Sequence, residues 1–95
     1  MNKSEIIKVV AKDTGIPSRY VSRVVDSVFD VMSSAISVGE DVQITGFGKF
    51  WHQELKEHRM YSLKTKEIVT LPVRHRVKFK LSSSLRERMK NNGYS

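Results

Sequence analysis

The chain of 95 residues has 17 Lys and Arg against 10 Asp and Glu, a formal net charge of +7, and no cysteine. A chain of this length forms one domain, and the lack of cysteine excludes disulfides and thiolate metal sites. No apolar run approaches the roughly 18 residues of a membrane-spanning helix, and the first residues lack a signal-peptide pattern. We therefore expect a soluble intracellular protein. The basic excess favours a polyanionic partner, either nucleic acid or an anionic membrane surface.

The first 39 residues predict two helices. Asn2 is a helix cap, Glu5 three residues later completes a capping box, and Gly15 ends the first helix. Ser18 can cap a second helix, which ends at Gly39. The second helix carries apolar residues at three- and four-residue spacing for about five turns, more than the first helix can cover. This apolar stripe is therefore expected to meet a partner chain.

Three strands and a last helix follow, which gives an α+β fold in the order ααβββα. The first strand covers residues 41–44, and a Gly-Phe-Gly turn at 46–48 leads to the second strand at 49–53. The third strand covers 73–81, and a run of three serines then caps the final helix. The domain ends near residue 90, and residues 91–95 are expected to form a flexible tail.

Most of the positive charge lies on one long hairpin. Residues 49–80 hold nine basic and three acidic residues, whereas residues 1–48 hold five basic and six acidic ones. The middle of the hairpin, an arm over about 54–74, has too few apolar residues at its tip to fold back on a core. A long basic projection of this kind needs a partner, and a polyanion is the simplest one.

The third strand has the most specific pattern in the chain. Arg74, Arg76, Lys78 and Lys80 alternate with other residues, so period two places all four cations on one face. Trp51 and Gln53 of the neighbouring strand are expected on the same face. A solvated strand face usually mixes charges of both signs, and like charges this close repel one another. The pattern therefore predicts a surface that binds nucleic-acid phosphates.

The arm tip combines apolar and basic residues. Met60, Tyr61 and Leu63 lie at the end of the basic hairpin with nothing in the sequence to cover them. Exposed apolar residues at a loop tip are common and often carry no function. However, a side chain that wedges between base pairs needs this combination of an apolar group and flanking cations. The three tip side chains are therefore candidates for such a wedge.

Several blocks of the sequence resemble the HU and integration host factor family of histone-like DNA-bending proteins. They are the opening Met-Asn-Lys-Ser-Glu-Ile-Ile, the block Val-Gln-Ile-Thr-Gly-Phe-Gly-Lys-Phe at 42–50, Phe79 and Leu85, and the resemblance covers residues 1–90. It implies an intertwined homodimer, or a heterodimer with a paralogue. Helices would form its body, and its sheets a saddle with two arms that enter the DNA minor groove.

The resemblance also implies a function and site residues. The protein would be cytoplasmic and nucleoid-associated, and would bend and condense double-stranded DNA largely without sequence preference. RNA stays open as a partner, whereas no membrane, metal or cofactor is expected. At the tip, Leu63 stands where the family has an intercalating Pro, and Lys66 where it has a turn Gly. The predicted DNA-binding residues are Lys3, Lys49, Trp51, Gln53, Lys56, His58, Arg59, Tyr61, Leu63, Lys64, Lys66, Arg74, Arg76, Lys78, Lys80 and Arg86. The predicted dimer core consists of Val25, Phe29, Phe47, Phe50 and Phe79.

Two other binding functions are compatible with parts of the sequence. Residues 11–23 resemble a helix-turn-helix, with Arg19, Tyr20 and Arg23 on the would-be recognition helix, which would indicate a sequence-specific transcriptional regulator. The positive charge lies elsewhere, however, and the second helix is long and very apolar. The second of these functions is that of a basic scaffold that binds another anionic surface, either a membrane or an acidic protein.

An enzyme is not indicated. His52, His58 and His75 are scattered, with no acid pair or serine at a spacing that would support catalysis. Asp26 and Asp30 lie four residues apart on one helix, and a solvated helix face explains them better than a metal site.

Overall fold

The computed structural model describes residues 1–94, so Ser95 of the predicted tail lies outside the described residues. The three helices are α1 (Lys3–Thr14), α2 (Ser18–Ser37) and α3 (Ser83–Asn91). The five strands are β1 (Val42–Ile44), β2 (Gly48–Leu55), β3 (His58–Ser62), β4 (Glu67–Leu71) and β5 (Arg74–Leu81). Helix α3 includes Asn91, the first residue of the predicted tail.

The boundaries of α1 follow from its capping residues, as predicted. Oδ1 of Asn2 accepts a hydrogen bond from the backbone N–H of Glu5 at 2.9 Å, which satisfies one of the free donors of the first turn. Gly15 follows the helix with φ of 73°, and its N–H donates to the carbonyl of Ala11. Glycine adopts this left-handed conformation without steric cost, so the chain reverses here.

The predicted cap of α2 is wrong by one residue. Ser18 is the first helical residue, and Pro17 occupies the cap position without a side-chain hydrogen bond. The carbonyl of Pro17 accepts from the N–H groups of Tyr20 and Val21, so the backbone begins this helix without a side-chain acceptor. At the other end Gly39 follows the helix with φ of 88°, as the sequence predicted.

The strands form one long antiparallel ribbon with a break. β1, β2 and β5 form a three-stranded sheet with β2 in the centre, and β3 pairs with β4 in a separate two-stranded sheet. The α+β class is confirmed, and the three predicted strands correspond to β1, β2 and β5; β3 and β4 are two further strands within the predicted arm, which gives five strands. Leu55 lies opposite Arg74 and His58 opposite Leu71, so each side of the break holds two residues and the register continues. The interruption includes Pro72, which has no N–H to donate to a ladder.

A single chain buries very little. Val21, at 4% exposure, is the only buried hydrophobic residue of the described chain. The accessible surface is 8177 Å², whereas a compact monomer of 10.9 kDa exposes about 5,600 Å². The radius of gyration is 19.7 Å, against about 12 Å for a compact domain of this length. The chain therefore has the shape of one part of a larger assembly.

Candidate nucleic-acid interface

The cations of β5 share one face of the sheet with residues of β2. Cross-strand pairs join Lys49 with Lys80 and Trp51 with Lys78. Gln53 lies opposite Arg76 in the same ladder. Side chains of directly opposite residues project from the same face, which confirms the predicted common face. This saddle face consists of Lys49, Trp51, Gln53, Arg74, Arg76, Lys78 and Lys80.

The reverse face of the same strands packs toward the helices. The rings of Phe50 and Phe79 lie 4.6 Å apart between centroids, and the ring of Phe47 is 5.9 Å from that of Phe79. His52 continues this face, and its Nε2–H donates to the carbonyl of Ile36 at the end of α2, at 2.8 Å. His52 therefore joins the sheet to α2 and has a packing role.

The saddle face carries uncompensated positive charge. In residues 1–94 no carboxylate lies within ion-pair distance of a saddle-face cation. Nε of Arg76 donates to Oε1 of Gln53 at 3.1 Å, which orients the guanidinium and leaves its two terminal amino groups for other acceptors. Repulsion between neighbouring cations is relieved when phosphate groups bind, so the arrangement suits a polyanion.

One residue of this surface was not predicted. Gln43 on β1 lies opposite Lys49, which itself lies opposite Lys80, so these three side chains form a row across all three strands. They line a shallow groove of about 190 Å³ beside Trp51. The alternation of Gln43 with apolar Val42 and Ile44 was the available signal. Gln43 thus extends the face with a side chain that both donates and accepts hydrogen bonds.

The arm continues the saddle face. Because the register is unbroken, Arg59 with Thr70 and Tyr61 with Ile68 fall on the same side of the ribbon as the saddle-face cations. His58 falls on the other side, and its Nδ1–H donates to the carbonyl of Lys56 at 3.2 Å. Of the predicted arm residues, Arg59 and Tyr61 therefore lie on the cationic side and His58 on the reverse side.

The arm tip presents Leu63 to solvent. Leu63 is 86% exposed, the same fraction as the first residue of the chain. The turn is closed by the N–H of Lys66, which donates to the carbonyl of Ser62 at 2.7 Å. Lys66 has φ of 57°, the left-handed conformation that glycine adopts most readily. The HU and integration host factor family, which the sequence resembles, has a turn glycine at this position. Lys64 and Lys66 flank the exposed leucine with positive charge.

Two predicted contacts lie on the helices rather than the sheet. Nζ of Lys3 forms an ion pair with Oδ1 of Asp26 at 2.8 Å. The hydrogen bond and the charge of Asp26 raise the pKa of Lys3 above its ordinary value of 10.5. Arg86 lies in the first turn of α3 and is exposed, with its backbone N–H bonded to the carbonyl of Ser82. Lys3 is thus already paired within the chain, whereas Arg86 is not paired with an acid in the described residues.

The helix-turn-helix segment lacks the charge of the saddle face. The guanidinium of Arg19 stacks 4.8 Å from the ring centroid of Tyr20, so it is engaged by its own neighbour. None of the helices of the described chain is long and apolar enough to cross a bilayer. The strongest concentration of free cations therefore remains on the sheet.

Comparisons with known proteins match this chain to DNA-binding proteins. The model of the family described as bacterial DNA-binding protein matches residues 1–90. DNA-binding protein HU of Thermotoga maritima is 33% identical over 90 residues, covering 95% of this chain and 100% of the relative. The SPbeta prophage-derived DNA-binding protein HU 2 of Bacillus subtilis is 33% identical, covering 95% and 98%. Among solved structures, an Anabaena HU–DNA cocrystal structure has a TM-score of 0.74 at 27% identity, covering 94% of this chain and 97% of that chain.

A sheet face that gathers cations in this way is typical of a protein that binds the phosphate backbone of a nucleic acid. The chain belongs to the HU family of bacterial DNA-binding proteins. It is an architectural, nucleoid-associated protein that binds double-stranded DNA without strong sequence preference. The helix-turn-helix and scaffold alternatives are set aside on the same findings.

Proposed function

We propose that two copies of this chain form an intertwined dimer with a shared core, and that the dimer bends DNA. The observation that carries the proposal is the near absence of a core in one chain. Phe29, Phe47 and Phe79 are each between 43% and 51% exposed although they lie in the helical and sheet body. Val25 and Phe50 are half-buried. Burying these surfaces against a second copy stabilises both chains through the hydrophobic effect.

The saddle face is proposed to bind the duplex backbone. Its unpaired cations neutralise phosphates without reading bases, which accounts for binding that depends little on sequence. Gln43 and Trp51 extend the contact toward sugars and groove edges. Arg86 and Lys3 are proposed to contact flanking phosphates, and Lys3 must first leave Asp26 or share its ammonium between the two partners. A paralogue with the same interface could replace one copy.

The arms are proposed to enter the minor groove. Arg59 and Tyr61 lie on the side of the ribbon that continues the saddle face, so they are the arm residues best aligned with the duplex. At the tip, Leu63 is proposed to wedge between base pairs while Lys64 and Lys66 hold the neighbouring phosphates. Lys56 and His58 remain predicted contacts, with His58 on the reverse side of the ribbon. The protein would act in the cytoplasm, on nucleoid DNA.

The proposal is tested by measuring assembly and binding separately. Sedimentation equilibrium at micromolar concentration is expected to give the mass of two chains. Gel-shift titrations at two salt concentrations, with linear, nicked and cruciform DNA and with RNA, then measure preference. We expect strong salt dependence with all duplexes. Binding to the distorted forms should be tighter, because bending them costs less free energy than bending an intact linear duplex. A monomer that binds RNA as well as DNA would contradict the proposal.

A further inference from the structure

The reverse side of the arm carries three apolar side chains, and no helix of residues 1–94 makes a main contact with it. On β2 and β5 this side carries the paired rings of Phe50 and Phe79 and is joined to α2 by the hydrogen bond of His52. Beyond the break, β3 and β4 make their main contacts only with each other. The unbroken register places on this side His58 with Leu71, Met60 with Val69, and Ser62 with Glu67. We call this set of six residues the reverse arm face.

The chemistry of the centre and the tip of the reverse arm face does not suit DNA. Its centre is formed by Met60, Val69 and Leu71, and Met60 is 48% exposed. Its tip carries the carboxylate of Glu67, which repels phosphates. By the same alternation, Lys56 continues this face at the end of the arm that adjoins the three-stranded sheet, which we call the foot of the arm. An apolar centre with an acid at one end and a base at the other is complementary to a second copy of itself in reverse orientation.

We propose that the reverse arm faces of two DNA-bound molecules pack against each other, tip to foot, and thereby bridge two duplexes. This inference rests on the proposed function. The two arms are related by a twofold axis that lies between their reverse faces and runs perpendicular to the strands. This axis places Leu71 of one arm against Val69 of the other, and His58 against Met60. It also brings the carboxylate of Glu67 in each arm to the end of the other arm that holds Lys56. Both cationic faces then point outward, each toward its own duplex.

The size of the contact determines when it forms. From the rise and spacing of strands, the reverse arm face covers about 200 Å² in each arm. A stable interface in solution buries at least about 1,200 Å² in total, so two free molecules would not associate through it. On DNA, many arms are held close together and their effective concentration rises, so weak contacts act in concert. Bridging is therefore expected only with DNA present.

The first test measures bridging and single-duplex binding in parallel. A bead-bound duplex and a labelled free duplex are mixed with protein, and the captured label reports bridging. The double variant Val69→Thr with Leu71→Thr is expected to lose bridging by about tenfold or more, because the apolar contact becomes polar. Its affinity for one duplex, measured by gel shift, is expected to stay unchanged. The matched control is Ile68→Thr, on the same strand but the opposite face, which is expected to retain bridging.

The charge at the tip gives a second variant with opposite expectations. Glu67→Lys adds a cation, so it is expected to strengthen single-duplex binding, yet to weaken bridging because two like charges meet at each end of the arm pair. Bridging that rises with the added charge would overturn the proposal. So would unchanged bridging in the double threonine variant, or a loss of single-duplex affinity that parallels the loss of bridging.

Disulfide cross-linking can locate the contact between the two arms. The chain has no cysteine of its own, so only introduced cysteines can react. Leu71→Cys protein mixed with Val69→Cys protein is expected to form a disulfide-linked pair under mild oxidation with DNA present, but not without DNA. Ile68→Cys mixed with Thr70→Cys is the control on the opposite face, and equal cross-linking there would reject the arm contact. Absence of single-duplex binding in the unmodified protein would instead reject the proposed function, so the two failures are distinguishable.

Discussion

Gly48 lies directly against the ring of Phe79. A Cβ atom added to Gly48 would stand 2.6 Å from both Cε2 and Cζ of this ring and 2.7 Å from the carbonyl oxygen of Lys80. Distances this short are not tolerated between non-bonded carbon atoms, and the backbone oxygen cannot move without disturbing the β2–β5 ladder. The last residue of the Gly-Phe-Gly turn thus brings the sheet backbone against the aromatic cluster of Phe47, Phe50 and Phe79.

Replacing Gly48 with alanine is expected to destabilise the protein strongly. Overpacking against Phe79 and the Lys80 carbonyl should lower the free energy of unfolding by about 3 kcal/mol or more. Gly46→Ala is the matched control, because Gly46 has open space around it and only its φ of 79° is unfavourable for alanine, at a cost of about 1–2 kcal/mol. Urea denaturation of both variants measures the difference. Equal destabilisation would mean that the contact with Phe79 relaxes easily.

The saddle face should dominate the salt dependence of DNA binding. Replacing Arg74 and Lys78 with alanine removes two phosphate contacts, which should flatten the slope of log affinity against log salt by about 2. The loss should be similar for unrelated duplex sequences, since phosphates carry no sequence information. Lys8→Ala with Lys12→Ala removes the same charge from α1 and serves as control. An unaltered slope in the saddle variant would place the duplex elsewhere.

The exposed leucine at the arm tip should control the bend rather than the affinity alone. Leu63→Ala is expected to reduce the DNA bend angle measured by energy transfer between dyes at the duplex ends, because a methyl group is too small to unstack a base step. Leu63→Met keeps a large apolar side chain and should retain most of the bend. If the alanine variant bends DNA as fully as the unmodified protein, Leu63 is not the wedge.

The ion pair between Lys3 and Asp26 gives a pH-dependent prediction. The hydrogen bond from Lys3 to Asp26 raises the pKa of the lysine above 10.5, so Asp26→Asn should return it toward that value. A raised pKa means that the pair stabilises the folded state below about pH 10.5 and that this contribution is lost as pH rises through the folded pKa. Both side chains are about half exposed, so the effect on stability should be small.

Titration of Lys3 by NMR measures this shift. Asp30→Asn is the control, because Asp30 lies farther along the same helix and raises the lysine pKa least of its acidic neighbours. A larger fall in the Asp30 variant than in the Asp26 variant would contradict the assignment of the partner.

Much of the fold follows from local sequence patterns. The side-chain cap of Asn2 and the glycines at 15 and 39 bound the first two helices because their chemistry acts over three or four residues. The alternation from Arg74 to Lys80 likewise fixed which side chains share a face, since a strand has period two regardless of its neighbours.

Other features depended on which strand lies opposite which. The place of Gln43 on the saddle face follows from its pairing with Lys49, and sequence alternation alone does not specify that partner. The shift of the α2 cap from Ser18 to Pro17 arose because serine is acceptable both as a cap and as a first helical residue. Local propensity was therefore ambiguous there, and the backbone hydrogen bonds of Pro17 decided it.

The amino-acid sequence by itself determined the charge distribution, the order of the helices and of β1, β2 and β5, and the cationic face of β5, because these depend on composition and short-range periodicity. Only the tertiary structure decided that the ribbon keeps one register across its break, which places Arg59 and Tyr61 on the side of the saddle face and Met60, Val69 and Leu71 on the other side. It also decided that Gly48 must remain without a side chain. Both results depend on pairings between residues that are distant in sequence. No single segment of the sequence specifies such a pairing.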